Sequence, residues 1–280
     1  MSRLRPADLP DYENPPLNEI LLSLQFSQPS GFGNVQIVLL WQKLFKEKFP
    51  NYQEQPPLQP LFEVFGPNPI PLPSIQISMA VPEVRYWFTN DDEVIQIQNN
   101  RFIHNWRKTR EDQKYPHYET IRENFTKEIE LIAGFLNENK LGELQVNQCE
   151  VSYINHIEFP DGKNPHTNLH RVFRSINENE TVDHSSSLLL EDCIYQTRYS
   201  INHENTKIGR LHVQAIPAIR RSDQKPIIQL TLIARGRPIG NSIDSAFEFM
   251  DLGRSLIVKH FDLFTTVEMH DFWRKNHDNI

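Results

Sequence analysis

The chain has 280 residues, 38% of them hydrophobic and 23% charged, with a formal net charge of −7 at pH 7 and a pI near 5.9. Such a length buries a substantial core as one large domain or two medium ones. The acidic balance argues against non-specific adhesion to nucleic acid or acidic membranes, although it leaves room for a local basic patch. No apolar run approaches the ~18 residues that cross a bilayer, and the opening "MSRLRPADLPDY" lacks the apolar core of a secretory signal. Cys149 and Cys193 stand far apart and outside any CxxC pattern, so a cytoplasmic setting with reduced, buried thiols is expected.

The first element is "LNEILLSLQF" (17–26), where Ile20, Leu22, Leu24 and Phe26 share one face at period two, as a half-buried strand requires. After "SQPSGFGN" a helical pattern follows, with Val38, Leu39, Trp41, Leu44, Phe45 and Phe49 on one broad face, and Pro50 ends it. The proline-dense stretch 53–74 must run as extended or turn structure, because proline fixes φ and removes a donor; it reads as a long connection over the surface. "VRYWFT" (84–89) and "EVIQIQ" (93–98) are strands joined by a tight turn at "NDD". Next comes "NNRFIHNWRKTRED", a knot of charge around Trp106, read as the corner where the chain leaves the sheet. The clearest helix is "YPHYETIRENFTKEIELIAGFLNEN", with Ile121, Phe125, Ile129, Ile132 and Leu136 at three- and four-residue steps.

The order then starts again. "LQVNQCEVSYINHIEF" (144–159) is a strand with Cys149, Val151, Tyr153 and Ile157 inward, and "NPHTNLHRVFRSI" is a short helix candidate. Strands follow in "LLLEDCIYQTRYSIN", "KIGRLHVQAIPAI" and "KPIIQLTLIARGR". A last helix lies in "NSIDSAFEFMDLGRSLIVKHFDLF" (241–264), with Ser242 as N-cap and Ile243, Phe247, Met250, Ile257 and Phe261 on one stripe. Both halves, 17–138 and 144–265, therefore read strand, helix, strands, long helix, over equal spans. The expectation is an α+β fold in a single domain over 1–280: pseudo-duplicated halves form one mainly antiparallel sheet, long helices pack on one face, and the other face stays open.

The alternate strand positions belong to that open face. They include Ser23, Gln25, Gln96, Gln98, Ser152 and His156, then Gln196, Arg198, Ser200, Arg210, His212, Gln214, Gln229, Thr231, Arg235 and Arg237. Residues 205–237 carry seven Lys and Arg against the single carboxylate of Asp223, a local net of +6 inside an acidic protein. A solvated sheet face would look similar; an anion-seeking surface for phosphate, nucleic acid or an acidic protein segment is the functional reading. At the corner, Trp106 reads as a plug in the helix–sheet seam, with a stacking platform among arginines as the rival. The candidate partner-binding residues are Arg101, Arg107, Lys108, Arg198, Arg210, His212, Arg235 and Arg237.

Signals for chemistry are sparse. His166 and His170 stand one helical turn apart without a third ligand at a defined offset, so no metal is assigned. No phosphate loop, GxSxG elbow or Cys–His arrangement occurs, no acid–base pair stands out, and no catalytic residue or cofactor is assigned.

"NPPLNE", "QIQNNRFIHNWRK", "YPHYETIRENF" and "FDLFTTVEMHDFW", spread from Asn14 to Trp273, resemble the landmarks of a sporadically distributed bacterial family of conserved hypothetical proteins. The chain departs from that pattern after Trp273, where "RKN" stands in place of a glycine. The resemblance implies a bacterial, cytoplasmic, full-length unit without an established activity. Its patchy occurrence suits an accessory of a phage-defence or mobile-element system. The expected function is non-enzymatic binding or assembly, with a protein partner or self-association first and nucleic acid second, and no membrane. The alternative is an enzyme acting on a phosphorylated small ligand or nucleotide, with His156 and His212 beside the arginines.

Overall fold

Period-two alternation makes β1 (Leu17–Ser27), whose Ile20, Leu22 and Leu24 are fully buried. Eight further strands follow among the residues described by the computed structural model, which are 5–66, 83–177, 190–240 and 242–276. They are β2 (Asn51–Gln55), β3 (Arg85–Thr89), β4 (Glu93–Gln98), β5 (Arg101–Arg107), β6 (Gln145–Ile157), β7 (Tyr195–His203), β8 (Thr206–Ile219) and β9 (Pro226–Gly236). All pair antiparallel in one sheet, in the order β2-β3-β4-β5-β1-β6-β9-β8-β7. Short polar turns make this possible. Asn90 Oδ1 accepts from the backbone N–H of Asp92 (3.2 Å) and Glu93 (2.8 Å) to close the β3–β4 turn. Glu204 and Asn205, at φ 46° and 63°, supply the paired left-handed residues that suit a tight hairpin between β7 and β8.

Two long amphipathic helices belong to this mixed α+β arrangement. In α2 (Tyr118–Glu138) the whole stripe Ile121, Phe125, Ile129, Ile132 and Leu136 is buried, and Phe125 stacks on Phe102 of β5 at 5.5 Å. Ser242 caps α3 (Ile243–Phe264) by accepting from Ser245 N–H at 3.1 Å. Gly253 lets α3 lie close on β9, for a Cβ there would stand 2.8 Å from Ala234 Cβ. Gly209 and Gly236, directly paired between β8 and β9, form a notch for the Phe249 ring, which a Cβ on either would meet within 3 Å. A short helix, α4 (Val267–Phe272), closes the described chain, and Trp273 packs on Phe261 at 5.0 Å.

Several elements differ from the sequence reading. The helix α1 (Asn34–Leu40) is only seven residues long before a π-turn at 41–45; its buried side is Ile37, Leu40, Trp41 and Phe45, while Leu39 is largely exposed. Residues 53–55 belong to the edge strand β2 and not to the proline-dense connection. "NPHTNLHRVFRSI" forms two short 3-10 turns, at Pro165–Thr167 and Leu169–Arg171, since Pro165 and the asparagines at 164 and 168 favour turns over a continuous helix. Residues 67–74 of the connection and 188–189 of the β7 candidate lie outside the described residues. Cys149 is buried in β6, whereas Cys193 precedes β7 and is half-buried, so only one cysteine is in a strand.

The knot around Trp106 is no corner. Residues 93–107 form the β4–β5 hairpin about Asn99–Asn100, and strand alternation splits the cluster between the two faces of the sheet. Phe102, His104 and Trp106 turn to the helices; Arg101, Asn105 and Arg107 turn the other way. Trp106 is 3% exposed and packs on Tyr115 at 5.5 Å, which leaves no stacking platform for a base.

Candidate functional site on the polar sheet face

The polar face is not open. Ser23, Gln25, Gln96, Gln98, Arg101, Asn105, Gln148 and Ser152 are all buried. Part of their cover is the chain's own segment 56–66, which leaves β2 and crosses the strands. Gln98 holds it by a two-way bond: its Oε1 accepts Leu58 N–H at 2.9 Å, and its Nε2 donates to Leu58 C=O at 2.9 Å. A side-chain amide here does what a neighbouring strand's backbone would do. Further along, Leu61 N–H donates to Gln25 Oε1 at 2.9 Å, and Arg101 donates to Gln59 C=O at 3.2 Å and to Gln25 Oε1.

The segment ends in an ionic socket. Both oxygens of Glu63 are engaged: Arg210 Nη1 donates to Oε2 at 2.9 Å, and His212 Nε2 lies 2.7 Å from Oε1. Arg235 Nη1 is 3.6 Å from Oε1, Arg210 Nη2 donates to Val64 C=O at 2.8 Å, and the Arg210 guanidinium lies over the Phe65 ring at 5.0 Å. Register brings these groups together, for Arg210 and Arg235 are direct cross-strand partners and His212 is two residues along β8. Burial alone raises the Glu63 pKa, but the bond and charge of His212, with Arg210 and Arg235, outweigh it and hold the carboxyl below its ordinary value. Arg235 also pairs with Glu150, its β6 neighbour, at 2.6 Å. Beneath Leu61 lies a cavity of about 10 Å³, lined by Ser23, Arg101, Gln148, Glu150 and Arg235, enough for roughly one water.

Of the eight residues singled out from the sequence, Arg210, His212 and Arg235 converge on Glu63, and Arg101 shares the cavity with Arg235. Arg198 faces His212 across β7–β8 but is exposed, and Arg237 is exposed just beyond β9. Arg107 sits at the far end of β5 against Glu19 at 3.6 Å, and Lys108 is half-buried with its backbone N–H on Asn18 C=O. His156 and His212 do not form a couple. His156 pairs with Gln229, whose β8 partner is Ile216, four residues or about 13 Å along the strand from His212. His166 Nε2 lies 3.1 Å from Ala218 C=O and 3.0 Å from Ile227 C=O, so that ring ties the 3-10 turn to the β8–β9 hairpin.

Glu63 and Glu150 escaped sequence reasoning. A signal for Glu63 existed, for it is the one charged residue between Glu54 and Glu83 and is flanked by Leu61, Phe62, Val64 and Phe65. An isolated carboxylate in an apolar segment calls for a cation elsewhere in the fold. Among the described residues no group of three or more His, Cys, Asp or Glu could hold a metal ion, and no helix is long and apolar enough to cross a membrane. No protein-family model matches the chain, and no curated protein matches it.

Proposed function

We propose that the protein is a non-enzymatic binding or assembly protein that holds an extended, acidic segment of a protein partner on its polar sheet face. The observation that carries this reading is the segment already lying there: residues 56–66, paired through Gln98 and Gln25 and anchored by Glu63 among Arg210, His212 and Arg235. A peptide backbone and a carboxylate are thus the chemistry that this face grips, which favours a protein partner over nucleic acid. With residues 56–66 in place, the cavity on this face is about 10 Å³, far below the ~300 Å³ of a small-molecule site, so the covered face has no room for a phosphorylated metabolite. The bacterial accessory setting implied by the sequence resemblance belongs to the same proposal.

The proposal extends to the architecture. Outward from the central pair, β1, β5, β4, β3 on one side match β6, β9, β8, β7 on the other, and each half ends in a long amphipathic helix. That correspondence supports a pseudo-twofold between β1 and β6, a single domain over both halves, and both long helices packed on the same face.

The test uses a labelled peptide of residues 58–66, LQPLFEVFG, titrated into the full chain. In the wild type the segment in place competes at high effective concentration. Glu63→Ala removes its anchor, so the peptide is expected to bind that variant at least tenfold more tightly than wild type, and to be lost when Arg210→Ala and Arg235→Ala are added. A folded Glu63→Ala variant that ignores the peptide, or binds it regardless of the two arginines, overturns the reading.

A further inference from the structure

With Arg101 and Arg85 counted beside it, the socket around Glu63 holds more guanidinium than carboxylate. Arg210, His212 and Arg235 share Glu63, and Glu150 is taken up by Arg235. Arg101 is 7% exposed; among the described residues its hydrogen bonds go to the side-chain oxygen of Gln25 and the backbone carbonyl of Gln59, and its Nε meets no acceptor. Arg85, half-buried, bonds Gln96 Oε1 at 2.9 Å, and its Nε likewise meets no acceptor among the described residues. Burial, with the charges of Arg235 and Arg85, lowers the Arg101 pKa against the pull of Glu150, as expected for a guanidinium short of counter-charge. Arg101, Arg235 and Leu61 line the same cavity.

We infer that this socket is a phosphate-monoester site for which Glu63 is the chain's own stand-in, and that a partner segment enters with a phosphorylated side chain at the position of Glu63. The inference rests on the polar face being a segment-binding surface. Glu63 supplies one charge and two oxygens, and both oxygens are used. A phosphate monoester carries about −1.5 to −2 at pH 7 and three terminal oxygens, and arginine forks suit it as well as they suit carboxylate. When segment 56–66 leaves, Leu61 leaves with it, so Arg101 and its unmet Nε become part of the same basin as Arg235. Glu150 remains as the one carboxylate there, bonded to Arg235 and Ser152.

The full chain carrying Glu63→Ala is titrated with two peptides of residues 58–66, one with glutamate and one with phosphoserine at the position of Glu63, and with inorganic phosphate. Glu63→Gln, which keeps the segment's shape and loses its charge, serves as receptor if Glu63→Ala does not fold. The phosphoserine peptide is expected to bind at least tenfold more tightly than the glutamate peptide, and adding Arg101→Ala should remove most of that difference. Equal affinities overturn the inference and leave a carboxylate socket. Inorganic phosphate binding as tightly as the phosphoserine peptide overturns the peptide-borne part and assigns the site to a free phosphate. If both peptides fail while inorganic phosphate still binds with dependence on Arg101, the segment-binding reading falls and the phosphate socket stands; if nothing binds, both fall.

Discussion

Trp106 and His104 occupy the same face of β5. Trp106 sits among cationic neighbours in sequence, yet alternation sends those neighbours to the opposite face and leaves its ring against Tyr115. Trp106→Ala should therefore cost on the order of 3–5 kcal/mol, as large aromatic truncations in cores do; denaturant unfolding reads this directly, and an unchanged midpoint would return the residue to the surface. His104 is fully buried between Glu128 (2.7 Å) and Glu93 (3.3 Å), with Lys48 2.8 Å from Glu93. Burial pushes its pKa down, but the two carboxylates prevail and raise it to about 9 from 6.5, while Glu93 is held down to about 2 against its own burial by His104 and Lys48. A folded-state pKa above the unfolded value gives stability that is fully present below pH 6.5 and lost as pH rises through about 9. At 1.36 kcal/mol per unit this amounts to about 3 kcal/mol. Stability measured across pH 6 to 10 should fall by that order more in the wild type than in His104→Gln, which keeps the contributions of the other titrating groups.

Elements whose apolar period is long and uninterrupted were legible: α2, α3, β1 and β6 sit where the pattern puts them, because their stripes face one surface throughout. The elements that escaped owe their form to contacts distant in sequence. β2 is "NYQEQ", without an apolar face, and exists because β3 offers it an edge. β5 has buried residues on both faces, so its polarity alternates with no clear apolar side, and it read as a corner. The β8–β9 pair was legible as strands, but its glycines acquire meaning only with α3 above them. Gly236→Ala would bring a Cβ to 2.3 Å from Ile208 C=O and 2.6 Å from the Phe249 ring. The expected cost is about 2–3 kcal/mol from overpacking, since backbone is among the obstructing atoms. A thermal melt of this variant within error of wild type would contradict the described approach of α3 to the sheet.

At the scale of the molecule, sheet parity puts Arg210, His212 and Arg235 on one face, as found, but it implies an exposed face where the structure has a covered one. Polar residues at alternate positions implied solvent, whereas Gln25, Gln98 and Arg101 are buried under residues 56–66. Apart from the isolated Glu63, the sequence carries no local mark for such a crossing, because proline permits an extended path without saying where it leads. The consequence for substitutions is concrete. Replacing Arg210 and Arg235 strands Glu63, whose side chain is 7% exposed, so the segment should lift off while the nine-stranded sheet persists.

Hydrogen exchange across the chain tests this arrangement most directly, comparing wild type with Glu63→Gln. Leu58 and Leu61 N–H groups are held by Gln98 and Gln25, and the amides of β1 and β6 lie at the centre of the sheet. The account predicts measurable protection over 56–66 in the wild type, at least tenfold faster exchange there in the variant, and no change in β1 or β6. Exchange over 56–66 that is already unprotected in the wild type, or that is unaffected by the loss of the Glu63 charge, would contradict it.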